Sequence, residues 1–224
     1  MKIAILGGTG PQGQGLALRL AKAGYEVLIG SRTLEKAQTI AKELNSKLSL
    51  DNITGMTNSD VIPSTNIIFL TIPYENVQET LNPLIDAIKK HTHIFVDITV
   101  PMKYEKGKGM VFDEPEKGCM SKQISEIINP VPVVGAFKTI SAEALLDISK
   151  TLNRDTFVYG PKEARNEIMN LISNIETLRP IDAGPLREGE TVERLVPFLI
   201  NINRRYNVKD SGIKIIMQNG NINE

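Results

Sequence analysis

The 224-residue chain carries a single cysteine, Cys119. One cysteine cannot form an internal disulfide, which predicts a reducing, cytoplasmic setting. Cys119 itself reads as either a reactive thiol or an incidental loop residue. An excess of one charge sign is also missing. Lys and Arg number 26, Asp and Glu number 26, and the formal net charge is zero. Nothing in that balance points to a nucleic-acid or membrane-surface partner. No apolar run approaches membrane-spanning length. The opening stretch Met1-Lys2-Ile3-Ala4-Ile5-Leu6 has the length of a buried strand, not of a signal peptide. Internal repeats and low-complexity segments are absent. So are a catalytic triad, a cluster with metal-ligand spacing and a clear acid pair. The two histidines, His91 and His93, fall between a predicted helix and a predicted strand, away from the expected site.

What is present is an ordinary globular composition, 41% hydrophobic and 23% charged. Short β-rich runs alternate with helical patterns. Strands are predicted at 3–6, 26–29, 67–72, 94–98, 131–137, 156–159 and 177–182. Helices are predicted from Leu16 to near Gly24, over 34–44 and 77–88, from about Ala142, and over 162–175 and 191–205. The run 67–72 is continuously apolar, as in a parallel strand covered on both faces. This order implies an α/β fold: a Rossmann-type doubly wound, mostly parallel sheet with a smaller C-terminal α/β segment packed against it. Residues 1–130 form the dinucleotide-binding region. Residues 131–224 complete the sheet and a second pocket, within one compact domain. The stretch 102–119, rich in glycine and charge, reads as a long loop, either a cover over a site or a solvated connection. Gly212–Met217 reads as a last extended segment and Gln218–Glu224 as a frayed tail.

The first predicted strand ends in Gly7-Gly8-Thr9-Gly10-Pro11-Gln12-Gly13-Gln14-Gly15. Gly8, Gly10 and Gly13 match G-x-G-x-x-G in the required place, after a strand and before a helix. The first glycine makes the turn, the second leaves room for a pyrophosphate, and the third lets helix and strand pack closely. The helix start offers free N–H groups and a positive dipole end, Thr9 adds a hydroxyl, and Pro11 suits the first turn. An NAD site usually carries Asp or Glu at the end of the second strand. Here that place holds Ser31 and Arg32, with Lys36 four residues on, near the same face of the following helix. A hydroxyl, a planar guanidinium and a lysine suit the 2′-phosphate of NADP, and no acid is there to repel it.

Ligands of such folds sit outside the carboxyl ends of the strands. The loops there include Thr71-Ile72-Pro73-Tyr74, Thr99-Val100-Pro101 and 138–142. Asp97 reads as a strand-end site acid or as a structural residue. Few ionisable candidates remain. That fits hydride transfer between two bound rings, which needs alignment in a dry slot more than an acid or base. The apolar segment 195–200 reads as a second ring pocket, as core, or as a dimer interface.

The chain resembles the NADPH-dependent coenzyme F420 reductases (F420:NADP oxidoreductases) over nearly its whole length. The resemblance rests on Gly7–Gly15, Gly30-Ser31-Arg32 with Lys36, 53–56 and 71–73. It continues through 133–140, 178–186 (LRPIDAGPL) and 192–202. It implies reversible hydride transfer between NADP(H) and a deazaflavin, and a homodimer joined through the C-terminal helix. It implies that Thr9–Gln12, Ser31, Arg32 and Lys36 bind NADP, that Ile72, Val100 and Ala142 line the nicotinamide region, and that the C-terminal segments build part of the deazaflavin pocket. Lys138 departs from the family, which often has histidine or another neutral polar residue there. It reads as a ligand for an anionic ring or phosphate tail, or as the mark of a different acceptor. The stretch 136–142 also resembles the oxidoreductase domains of membrane ferric reductases, which pass electrons to a flavin. An NADPH-dependent flavin or ferric reductase, and a non-catalytic NADP(H)-sensing module, are the alternative readings.

Overall fold

The computed structural model describes residues 1–217; the predicted frayed tail 218–224 lies outside the described residues. The first half runs β1 (Lys2–Leu6), α1 (Pro11–Lys22), β2 (Glu26–Ser31), α2 (Leu34–Leu48), β3 (Ile53–Thr57), α3 (Asn58–Val61), β4 (Ile67–Leu70), α4 (Val77–Leu81), α5 (Ile85–His91) and β5 (Ile94–Asp97). The second half runs β6 (Met102–Glu105), β7 (Gly109–Phe112), α6 (Met120–Ile127), β8 (Val133–Gly135), α7 (Ala142–Leu146), β9 (Arg154–Tyr159), α8 (Lys162–Ser173), β10 (Leu178–Gly184) and α9 (Gly189–Tyr206).

Eight strands form one sheet in the order β10-β9-β8-β5-β4-β1-β2-β3. The pairings from β3 through to β8 are parallel, β9 meets β8 antiparallel, and β10 runs parallel to β9. The expected mostly parallel, doubly wound sheet is therefore present. It passes without a break from the first 130 residues into the rest of the chain. Side chains alternate strictly across it. Ile3, Ile5, Ile67 and Phe69 join one core layer, with Leu16 and Leu20 of α1 and Ile168 of α8. Ala4, Leu6, Ile68 and Leu70 join the other, with Leu81, Ile88 and Ile124 from α4, α5 and α6. Period-two alternation with both faces covered is what makes 67–70 read as an unbroken apolar run.

Several elements differ from expectation. Residues 102–112 are not a loop but an antiparallel hairpin, β6 and β7, closed by a turn through Gly107. The helix expected over 77–88 is split by a tighter turn at Asn82–Leu84, because Pro83 has no N–H to continue the ladder. Strand β3 and helix α6 lay outside the predicted set. Residues 212–217 form no strand, but Asp155 N–H donates to the Ile213 carbonyl (3.0 Å), so this segment does lie along β9. No helix among the described residues is long and apolar enough to cross a membrane.

Candidate active site: a glycine cradle opening on an apolar cavity

Strand order reverses between β4 and β1, so the loops at their carboxyl ends diverge and leave a crevice. The glycine loop fills one side of it. Gly8 N–H donates to the Gly30 carbonyl at 2.9 Å, tying the loop to β2. A Cβ on Gly13 would stand 2.6 Å from Gly8 Cα, so the third glycine is fixed by backbone packing. Gly10 differs. A Cβ there would meet nothing closer than the Gly7 carbonyl oxygen at 3.6 Å, so protein contacts alone do not require glycine. The cradle is what a pyrophosphate needs and a side chain would obstruct. Gly10 is the N-cap of α1, no side chain caps that helix, and no acid lies in its first turn. Its dipole end is left for an anion.

Gly7, just before the G-x-G-x-x-G match, also shapes the loop. Its φ of 72° is left-handed, and its N–H donates to Asn58 Oδ1 at 3.2 Å. A side chain at Gly7 would overlap Ile72. Gln12 reaches across the crevice, its Nε2 donating to the Ile140 carbonyl at 3.1 Å.

At the end of β2, Ser31 is buried and its Oγ accepts from Thr33 N–H at 3.4 Å. Helix α2 starts there with no side-chain cap. Arg32 and Lys36 are exposed. Among the described residues neither is in an ion pair, unlike most cations of this chain.

Beyond the glycine loop lies a cavity of about 600 Å³. Gly10, Pro11 and Gln12 form its near wall. Ile72 after β4, Val100 after β5 and Ala142 at the start of α7 all line it. Val196, Leu199 and Ile200 of α9 form the roof, and Ser211 closes the end. Ser211 is brought there by a latch: Asp210 accepts from Ser141 Oγ (2.6 Å) and pairs with Arg154 (2.5 Å). Three polar atoms on lining residues, Thr139 Oγ1, Asn203 Oδ1 and Ser211 Oγ, are buried without a hydrogen-bond partner. A largely apolar slot of this size fits planar rings.

Lys138, read from the sequence as a ligand for an anionic ring or tail or as the mark of a different acceptor, is ion-paired inside the protein beside the cavity. Its ammonium has no exposed surface and lies 2.5 Å from Asp97 Oδ2, 2.9 Å from Glu193 Oε1 and 2.5 Å from the Thr99 carbonyl. All three of its donors are used within the protein. Burial opposes the charge, but Asp97 and Glu193 outweigh it and hold Lys138 above the ordinary lysine value. Asp97 is structural: Oδ1 accepts from Thr99 N (2.8 Å) and Oγ1 (2.6 Å). Glu193 was missed. Its signal in the sequence is a carboxylate on the same helix face as Val196 and Ile200. Cys119 is fully buried at the N-cap of α6, where the loop after β7 ends, and burial pushes its thiol up to about 11. His93 immediately precedes β5, at the amino end of this central strand and away from the cavity, 3.6 Å from Glu167.

Comparison with known proteins places this architecture. The family described as NADP oxidoreductase, coenzyme F420-dependent, matches residues 2–101. The F420-dependent NADP reductase of Methanothermobacter thermautotrophicus is 35% identical over 221 residues, covering 96% of this chain and 94% of the relative. That of Methanocaldococcus jannaschii is 35% identical over 223 residues, covering 96% and 98%. A metalloreductase of Rattus norvegicus, STEAP3, is 25% identical over 200 residues, which are 88% of this chain but 37% of that protein. The crystal structure of a putative F420-dependent NADP-reductase from Arthrobacter sp. FB24 superposes with a TM-score of 0.80 at 22% identity. It covers 97% of this chain and 100% of that one, and so shares the fold. With two relatives at 35% identity across almost their entire length, the chain belongs to the F420-dependent NADP reductase family.

Proposed function

We propose that this chain catalyses reversible hydride transfer between NADP(H) and the deazaflavin coenzyme F420 by holding both rings in the cavity under α9. The observation that carries this reading is the character of the cavity lining. It is apolar, continuous with the glycine cradle, and presents no free ionisable side chain among the described residues. Lys138 is spent on Asp97 and Glu193, and the Tyr74 hydroxyl donates to Asp113. The two ligands supply the chemistry when bound: a hydride leaves the nicotinamide for the deazaflavin ring, and one proton from solvent balances the reduction. The protein's part is to align and to exclude water.

In this reading Gly8, Thr9, Gly10, Pro11, Gln12 and Gly13 take the pyrophosphate. Ser31, Arg32 and Lys36 take the 2′-phosphate, and Ile72, Val100 and Ala142 frame the nicotinamide. The α9 side of the cavity receives the deazaflavin against Val196, Leu199 and Ile200. Phe198 and Tyr206, both well exposed on α9, support a homodimer across that helix.

The test is spectroscopic. Purified protein with NADPH should bleach the absorbance of F420, and with NADP⁺ and reduced F420 should restore it. NADPH oxidation with FMN, FAD or a ferric chelate but not with F420 would select the flavin or ferric reductase reading. Binding of NADPH with no transfer to any acceptor would select the sensor. Sedimentation of the same sample as a monomer would remove the dimer.

A further inference from the structure

Beside the cavity, four regular elements and one loop meet at a buried group of polar side chains. Asp97 ends β5, Lys138 follows β8, Ser121 lies in the first turn of α6, Tyr159 ends β9 and Glu193 lies in the second turn of α9. Glu193 gathers them. Its Oε2 accepts from Met120 N–H at 2.9 Å. Its Oε1 accepts from Ser121 N–H (3.3 Å), the Lys138 ammonium (2.9 Å) and the Tyr159 hydroxyl (3.1 Å). Ser121 Oγ in turn donates to Asp97 Oδ2 at 2.6 Å.

Burying two carboxylates against one ammonium is costly, and apolar residues of equal volume would hold a helix at least as firmly. What directional bonds add is a single permitted arrangement. Here the arrangement has a location. Val196 and Ile200 sit on the same face of α9 as Glu193, about one and two turns further on, and roof the cavity. On the other side of the slot lie Thr99, which binds both Asp97 and Lys138, and the residues that follow Lys138 directly. The same ions therefore anchor roof and floor.

We propose that Glu193 and Lys138 are positioning residues: through Asp97 and Thr99 they fix the height of the α9 roof over the loops after β5 and β8, and so the width of the slot that admits the second ring. The charged groups of both side chains are satisfied within the protein. The inference rests on the reading of this cavity as the place where both rings sit.

The test compares Glu193→Gln, which keeps the reach of the side chain, with Glu193→Ala, which removes the tether, in the full chain. Three quantities are read: NADP⁺ affinity by calorimetry, F420 affinity by quenching of its fluorescence, and single-turnover hydride transfer. The alanine variant should bind F420 about tenfold more weakly while NADP⁺ affinity stays within about twofold. Its transfer rate should fall roughly a hundredfold, with glutamine in between. A parallel loss of both affinities would mean a merely structural role and overturn the proposal, as would wild-type F420 affinity. If the alanine variant does not fold, the same split or its absence in Glu193→Gln decides. Wild-type turnover in the same assay separates the two readings. No transfer by the wild type removes the assignment of the cavity, whereas normal wild-type transfer with unaltered variants removes only this inference.

Discussion

In the proposed function, the exposed cations Arg32 and Lys36 carry most of the cofactor choice. They stand at the start of α2, which no side chain caps and whose first turn also carries Glu35, beside a buried serine and with no acid at the strand end where an NAD site would have one. A hydrogen bond to a charged group contributes about 1.5–3 kcal/mol, so Arg32→Ala should weaken NADP⁺ binding by roughly ten- to a hundredfold. NAD⁺, which lacks the phosphate, should be nearly indifferent. Equal losses for both dinucleotides in a calorimetric titration would take Arg32 out of the 2′-phosphate site. This part of the proposed site can be read in sequence because it is local. The glycine spacing and the Ser31–Arg32–Lys36 set each lie within one short stretch of a βαβ unit. Lys138 was not legible in the same way. Its partners Asp97 and Glu193 lie 41 and 55 residues away, and a lysine read alone shows only that a charge is present.

At the scale of elements, packing between a helix and an edge strand positions the residues proposed to take the 2′-phosphate. Gly55 lies in β3, at the edge of the sheet, directly against α2. A methyl group there would run into the Ala37 backbone. Overpacking of this kind costs about 1–3 kcal/mol, so Gly55→Ala should lower the urea midpoint. Exposed Thr54 provides the control, since Thr54→Ala should change stability by less than about 0.5 kcal/mol. An unchanged midpoint for Gly55→Ala would show that α2 yields freely. The hairpin β6–β7 illustrates why some elements escaped sequence reading. Its glycines and charges resemble those of a solvated loop. It is held by α9, where Asn201 exchanges two hydrogen bonds with the Met110 backbone and Arg194 lies over the Phe112 ring. That partner is some 90 residues away, so no local pattern announces it.

For the whole molecule, the buried group around Glu193 sets a pH limit. Burial, with the charges of Glu193 and Asp97, pushes the Tyr159 hydroxyl well above its ordinary 10.0. Cys119 is raised from 9.0 to about 11, again by burial first. Lys138 is held above 10.5 by its two carboxylates, against burial. Each of the three binds its proton more tightly folded than unfolded. The native state therefore holds more protons than the unfolded chain once the pH passes 9.0, and stability must fall as pH rises from there. Urea midpoints should decline between about pH 9 and about pH 10.5, and a level midpoint across that window would mean these groups are not buried as described.

The sequence by itself determined the α/β alternation, the glycine cradle and the preference for NADP. Each follows from short-range rules: a period of two or 3.6, a turn that needs glycine, a charge at a strand end. The resemblance in 133–140, 178–186 and 192–202 added the deazaflavin. Tertiary structure alone decided where the carboxyl ends of β1, β4, β5 and β8 meet under α9. It also decided that the one suspicious lysine would face inward. The physical reason is that a buried charge takes its role from its partners, and those partners are chosen by the packing of strands and a helix distant in sequence.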